Sequence, residues 1–156
     1  MKNITPYIFI ILCALLQISV IPNLAIADSF PNIILVLILI FLIKNNDQAA
    51  ILWILLGGLV LDLFSPTFFG YHSLEFTLIF ILYRTILRPL LLDPAPPLIL
   101  LVFIAASSLL GFINIILFRQ GLSQFLPIQI IYQSLIGLIL YIIISKLSKD
   151  TYRIKA

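Results

Sequence analysis

Pro31-Asn32-Ile33-Ile34-Leu35-Val36-Leu37-Ile38-Leu39-Ile40-Phe41-Leu42-Ile43 is an unbroken apolar run with a proline at its head and Lys44 at its foot. It is 13 residues long. A transmembrane helix needs about 20 apolar residues, with roughly 17–25 the usual range. So short a run is either a thin crossing or a re-entrant segment, and the choice sets the orientation of everything after it.

Outward from it, apolar runs between polar or proline breaks mark five more segments. The six expected spans are 6–21, 31–43, 48–64, 72–88, 97–118 and 128–145. Proline opens or precedes several of them (Pro6, Pro31, Pro97, Pro127), which suits the first helical turn, where a missing N–H costs nothing. Basic residues decide the second segment. With six spans and a cytoplasmic N-terminus, the inner side collects Lys2, Lys44, Arg84, Arg88, Lys146, Lys149, Arg153 and Lys155, and the outer side only Arg119. If the second segment turns back, the inside keeps Lys2 and Arg119 and the other seven face out. The positive-inside rule therefore favours six crossings with both termini cytoplasmic. Thinning of the bilayer and snorkelling of Lys44 accommodate the short span.

Composition agrees. Of 156 residues, 63% are hydrophobic, about 98 in all, and 10% are charged. Soluble domains hold nearer 45–50% apolar and about 25% charged residues. A water-soluble sphere of this size could not hide so much apolar surface. The expectation is an all-α integral membrane protein, one polytopic domain over 1–156. The net charge of +3 does not point to nucleic acid, because basic residues stand singly until the C-terminal tail. The one cysteine, Cys13, offers neither a disulfide nor a metal site. A secretory signal is the alternative for the first segment: Lys2, an apolar stretch and Ala25-Ile26-Ala27 before Asp28 have that outline. Cleavage there would leave five spans.

Polar residues inside hydrocarbon need partners. Asp62 ends the third segment, and His72 and Glu75 open the fourth across a short corner containing Pro66 and Gly70. Two readings are open: an acid–histidine site for a proton, ion or small solute, or a structural corner in which Asp62 satisfies free backbone N–H groups. The structural reading carries more weight. Gly57 and Gly58, one turn before Asp62, permit close helix approach. Ser107, Gly111 and Asn114 make a small-polar stripe on the fifth segment, and Gln129, Gln133, Gly137 and Tyr141 another on the sixth. Both stripes read as helix packing with inter-helix hydrogen bonds, ahead of the alternative that they line a cavity. Arg84 and Arg88 read as topology determinants rather than a specific site, and Lys146, Lys149, Arg153 and Lys155 as a tail that attracts anionic lipid, with contact to a cytoplasmic partner as the alternative. No phosphate loop, metal-ligand spacing or nucleophile set is present, so neither an enzyme nor a cofactor is expected.

Gly57-Gly58-Leu59-Val60-Leu61-Asp62-Leu63-Phe64-Ser65, followed by Gly70-Tyr71-His72-Ser73-Leu74, resembles the signature region of MreD, the rod shape-determining membrane proteins. Pro31-Asn32-Ile33-Ile34-Leu35 resembles that family's second-helix opening, with Asn32 where Asp is more usual. The motifs cover about a quarter of the chain. The resemblance implies a fold like the substrate-binding subunits of energy-coupling-factor transporters. It also implies a place in the bacterial cytoplasmic membrane, association with MreC, and action beside RodA, penicillin-binding protein 2 and MreB in lateral peptidoglycan synthesis. Catalysis would belong to those partners, with the Gly57–Gly70 region and the small-residue stripes as the expected contact surfaces. The alternative is a vitamin-type binding subunit of such a transporter. Those subunits dock through an Ala-xxx-Ala pattern on the first helix, where this chain has only Ala14.

Overall fold

The computed structural model describes residues 4–25, 30–65, 68–90, 95–118 and 126–153, with backbone alone at Leu24, Leu90, Phe118, Leu126 and 148–153. Six helices follow in order: α1 (Thr5–Ser19), α2 (Ile33–Ile43), α3 (Asp47–Phe64), α4 (Tyr71–Leu82), α5 (Pro96–Phe118) and α6 (Leu126–Arg153).

The 13-residue run becomes the centre of the molecule. Ile34, Leu35, Val36, Ile38, Leu39, Ile40, Leu42 and Ile43 of α2 are all buried, because α1, α3, α5 and α6 pack around it. A helix that is apolar on every side belongs inside other protein. Local chemistry sets both its ends. At the start, the Asn32 side chain accepts the Leu35 N–H at 3.1 Å, an N-cap. At the finish, Asn45 takes a left-handed conformation (φ 56°), which asparagine tolerates better than most residues. Its N–H bonds Leu42 C=O at 3.0 Å and the Asn46 N–H bonds Phe41 C=O at 2.9 Å, closing the last turn. Asn46 then caps α3 by accepting the Ala49 N–H at 3.2 Å.

The other helices turn large apolar side chains outward. Leu101, Phe112 and Ile131 are 60–61% exposed, and the outer faces of α1 and α3 are similar. Such a surface belongs in lipid. Four helical stretches are long and apolar enough to cross a membrane: Thr5–Asn23, Asp47–Phe64, Pro96–Leu117 and Pro127–Leu147. The chain is thus an all-helical, multi-pass membrane protein. Because lipid is as apolar as leucine, what holds these helices together is close packing and hydrogen bonding rather than flight from water.

The expected spans 31–43 and 72–88 do not reach that length as regular helix. Alpha2 has 11 residues and α4 has 12. Beyond Leu82 the chain widens into a π-turn over Tyr83–Leu87, where the Arg88 N–H bonds the Tyr83 C=O, then tightens over Arg88–Leu90. Pro89 is the cause. It supplies no N–H and its ring would strike the carbonyl four residues back, so regular helix cannot continue through it. The widened segment still follows α3 from end to end: Asp62 meets the start of α4, and Asp47 meets Arg88. Alpha2 likewise matches α6 at two levels, through Asn32 with Gln133 and Lys44 with Ile144. The sixth helix, expected to stop at residue 145, runs on to Arg153, since its charged continuation remains good helix-forming sequence once it leaves the apolar zone.

Candidate functional site

Polar side chains gather at one end of the bundle, where α1 and α3 finish and α2 and α4 begin. Their centre is Asp62, 4% exposed. One carboxylate oxygen accepts the His72 N–H at 2.7 Å. The other accepts the Ser73 N–H at 3.2 Å and the Ser73 hydroxyl at 2.7 Å. Asp62 therefore caps α4 from the last turn of the preceding helix, using a negative charge where the helix dipole favours one. Gly58 makes the approach possible. A Cβ there would lie 2.8 Å from Ser73 Oγ and 3.0 Å from Ser73 Cα. Gly70, at the N-cap of α4, has φ 92°, a left-handed conformation that turns the chain into the new helix at no steric cost.

A second set ties this corner to α5. The Tyr71 hydroxyl donates to Asn114 Oδ1 at 2.6 Å and lies 3.3 Å from Glu75 Oε1. Glu75 Oε2 pairs with His72 Nδ1 at 3.4 Å. The His72 ring also packs edge-on against Tyr71, with centroids 5.1 Å apart.

A third set holds the non-helical approach to α2. Gln17 of α1 donates to Pro31 C=O at 2.9 Å and accepts the Ile33 N–H at 2.8 Å. Gln133 of α6 accepts the Asn32 N–H at 2.6 Å and donates to Asn32 C=O at 3.0 Å. Both glutamines are buried. Irregular backbone at membrane depth survives only where protein satisfies its polar groups, and these two amides do that from opposite sides. Among the described residues no buried side-chain nitrogen or oxygen lacks a partner. Next to this clamp a cavity of about 260 Å³ is lined by Gln17, Asn32, Phe30, Phe64, Ser65 and His72, among others. Nowhere among the described residues do three His, Cys, Asp or Glu side chains gather as a metal site.

The remaining residues singled out from sequence divide clearly. Gly57 faces α2 and α1, where a Cβ would lie 2.9 Å from Ile34 Cγ2. Gly137 receives the Phe103 ring, whose Cδ1 would be 2.5 Å from an added Cβ. Gly111 is buried on α5. The expectation that the stripes hydrogen-bond between helices needs correcting. Ser107 donates to Phe103 C=O of its own helix at 2.8 Å, as serines in apolar helices commonly do; Asn114 and Gln133 are the stripe residues that reach across.

At the opposite end, Arg88 is more than a topology signal: it donates to Asp47 at 2.8 Å. That pair is partly exposed and is worth at most about 1 kcal/mol. Lys44 donates to Ile144 C=O at 3.3 Å, and partial burial draws its pKa below the ordinary lysine value. Arg84 and Lys146 are exposed, and the Lys149 side chain lies outside the described residues, as do Arg153's and Lys155.

Sequence reading passed over Gln17, and quoted Tyr71 and Ser73 within a motif without giving either a role of its own. A signal for Gln17 was present: a lone amide in an apolar helix has to find a partner at that depth. Compared with known protein families, with curated proteins and with solved structures, the chain matches none.

Proposed function

We propose that this protein is a non-catalytic membrane subunit of the bacterial cell-elongation machinery, of the MreD kind. It resides in the cytoplasmic membrane, binds an MreC-type partner, and acts with RodA, penicillin-binding protein 2 and MreB in lateral peptidoglycan synthesis. One observation carries the reading. The residues on which the resemblance rests are the ones that build the α3–α4 corner: Gly58 makes room, Asp62 caps, Gly70 turns, and His72 and Ser73 donate. A resemblance confined to leucines and isoleucines would mean little in any membrane helix. Here it falls on the minority residues that one local geometry requires.

In this reading all six helices cross the bilayer and both termini are cytoplasmic, so the Asp62 corner faces outward and the arginine end inward. Single cysteines introduced after Cys13→Ser report this directly. A membrane-impermeant maleimide should label the Asn23→Cys and Phe69→Cys variants in intact cells, and the Gln48→Cys variant only after permeabilisation. Labelling of the Asn23 and Gln48 positions from the same side would mean that α2 does not cross.

The functional test is isolation of the protein from native membranes under mild detergent. A single-span, coiled-coil protein of the MreC type should accompany it, and should be lost when Gly58 is enlarged. Its absence from a stable preparation would count against the proposal. The cavity beside Gln17 and His72 favours a second reading, a small-solute binding subunit. A tightly held small molecule in the same preparation, with no protein partner, is what that reading expects.

A further inference from the structure

Hydrogens can be counted along the contacts that run from α5 through Tyr71 and Glu75 to His72. The Asn114 amide nitrogen donates to Leu110 C=O at 3.0 Å, so the group it turns toward α4 is its carbonyl oxygen, which can only accept. The Tyr71 hydroxyl stands 2.6 Å from that oxygen, and its one hydrogen lies there. Tyr71 therefore faces Glu75 Oε1, at 3.3 Å, with a lone pair. Two oxygens meet in this way only if the carboxyl group brings a hydrogen or has its charge drawn off elsewhere. Its other oxygen, Oε2, lies 3.4 Å from His72 Nδ1. The Glu75 side chain is 4% exposed and that of His72 22%, which leaves the ring in reach of water. Of the neighbouring elements, α3 brings Asp62, whose oxygens the start of α4 already occupies, and α5 brings the uncharged Asn114. Among the described residues the lysines and arginines, Lys44, Arg84, Arg88 and Lys146, all belong to the other end of the bundle.

We infer that Glu75 and His72 hold one proton between them, and that this proton decides whether Tyr71 ties α4 to α5. With it, the pair is neutral overall whichever member carries it, and the hydroxyl hydrogen is left to Asn114, the arrangement in the structure. Once it leaves to water through His72, Glu75 is a buried carboxylate without a cation. A carboxylate accepts more strongly than an amide carbonyl. The Tyr71 hydrogen then turns about its C–O bond to Glu75, and Asn114 is released. The tie is therefore made at low pH and lost as pH rises. Little stands ready to replace it, because α4 packs along α3 and α5 along α6. Farther along, Ile79 and Leu87 face Ala105 and Leu109 across a groove of about 250 Å³.

Thermal unfolding of the intact chain in nonionic detergent tests this, at about pH 5 and about pH 9, on either side of the range in which histidine ordinarily titrates. Asn114→Leu should lower the wild-type midpoint by about 2–4 °C at the lower pH, the usual effect of one hydrogen bond in a chain of this size, and by less than half as much at the higher. In a Glu75→Gln background, where no proton can leave, the Asn114→Leu effect should be the same at both. In a Tyr71→Phe background it should be small at both, since the hydrogen that Asn114 receives is gone. An Asn114→Leu effect in the wild type that does not change with pH overturns the inference, as does a pH dependence that survives Glu75→Gln. Should Glu75→Gln fail to fold, Tyr71→Phe decides: a pH dependence that persists without the hydroxyl overturns the tie, and its disappearance supports it.

Discussion

Replacing Gln17 and Gln133 together with methionine will strongly destabilise the centre of the bundle while leaving its volume nearly unchanged. Methionine matches glutamine in length but offers no amide. Loss of Gln17 leaves the Ile33 N–H and the Pro31 C=O without their partner, and loss of Gln133 leaves the Asn32 N–H. The Asn32 C=O is spared, since it also accepts the Val36 N–H at 3.1 Å. An orphaned buried group costs about 1–3 kcal/mol, and more where no water can reach it. Three such groups amount to roughly 3–9 kcal/mol, against a typical total stability of about 5–15 kcal/mol. Gln133→Met alone loses one group and should be the milder single variant; Gln17→Met loses two. Thermal unfolding in detergent should show the double variant lower by roughly 10 °C or more. Amide exchange should accelerate at Asn32 and Ile33 before anywhere else in α2. An unchanged midpoint would mean that the approach to α2 is not held by these amides.

The second large effect is at Asp62. Asp62→Ala removes an N-cap, for which the usual cost is about 0.5–2 kcal/mol. It also strands the Ser73 hydroxyl and a second backbone N–H, bringing the expected loss to roughly 2–4 kcal/mol. Asp62→Asn separates cap from charge. Its carbonyl can still accept the His72 N–H, and the Ser73 hydroxyl can reverse and accept from the amide, so the loss should be about half that of alanine. Equal damage from Asn and Ala would assign the role to the charge itself. Gly58→Ala attacks the same joint from the other side. Its Cβ would press on Ser73 Cα and N, at 3.0 and 3.2 Å, which are backbone atoms that cannot rotate away. Overpacking of that kind costs about 1–3 kcal/mol. Because both changes act on one contact, the Gly58→Ala, Asp62→Ala double variant should lose less than the sum.

Much of the architecture was legible from the chain alone, for identifiable reasons. Lipid leaves a helix few alternatives, so apolar runs marked the helices; the caps at Asn32, Asn45 and Asn46 emerge only from the structure. The number of residues in each helix was less legible. Pro89 lies just past the apolar run 72–88, and its effect reaches back a full turn into it, whereas hydropathy continues smoothly through Tyr83–Leu87. The end of α6 was missed because hydropathy reports the membrane edge, and a helix does not have to stop there. For the site, the corner was readable because Asp62, Gly70 and His72 are rare residue types at close spacing. The clamp was not, because its targets are backbone atoms of residues 31–33, which no side-chain pattern reveals. Ser107 misled for a related reason: a hydroxyl in an apolar helix can satisfy itself on its own backbone and need not point to a neighbour.

Depletion of this protein in the cells that produce it, which the proposed role requires to be rod-shaped, followed by microscopy, tests that role most directly. Cells should widen and round over successive divisions, regain their shape when the wild-type chain is restored, and fail to regain it with the Asp62→Ala variant. Cells that keep their width and length, while losing uptake of a small solute, would contradict a part in cell elongation and transfer the protein to transport.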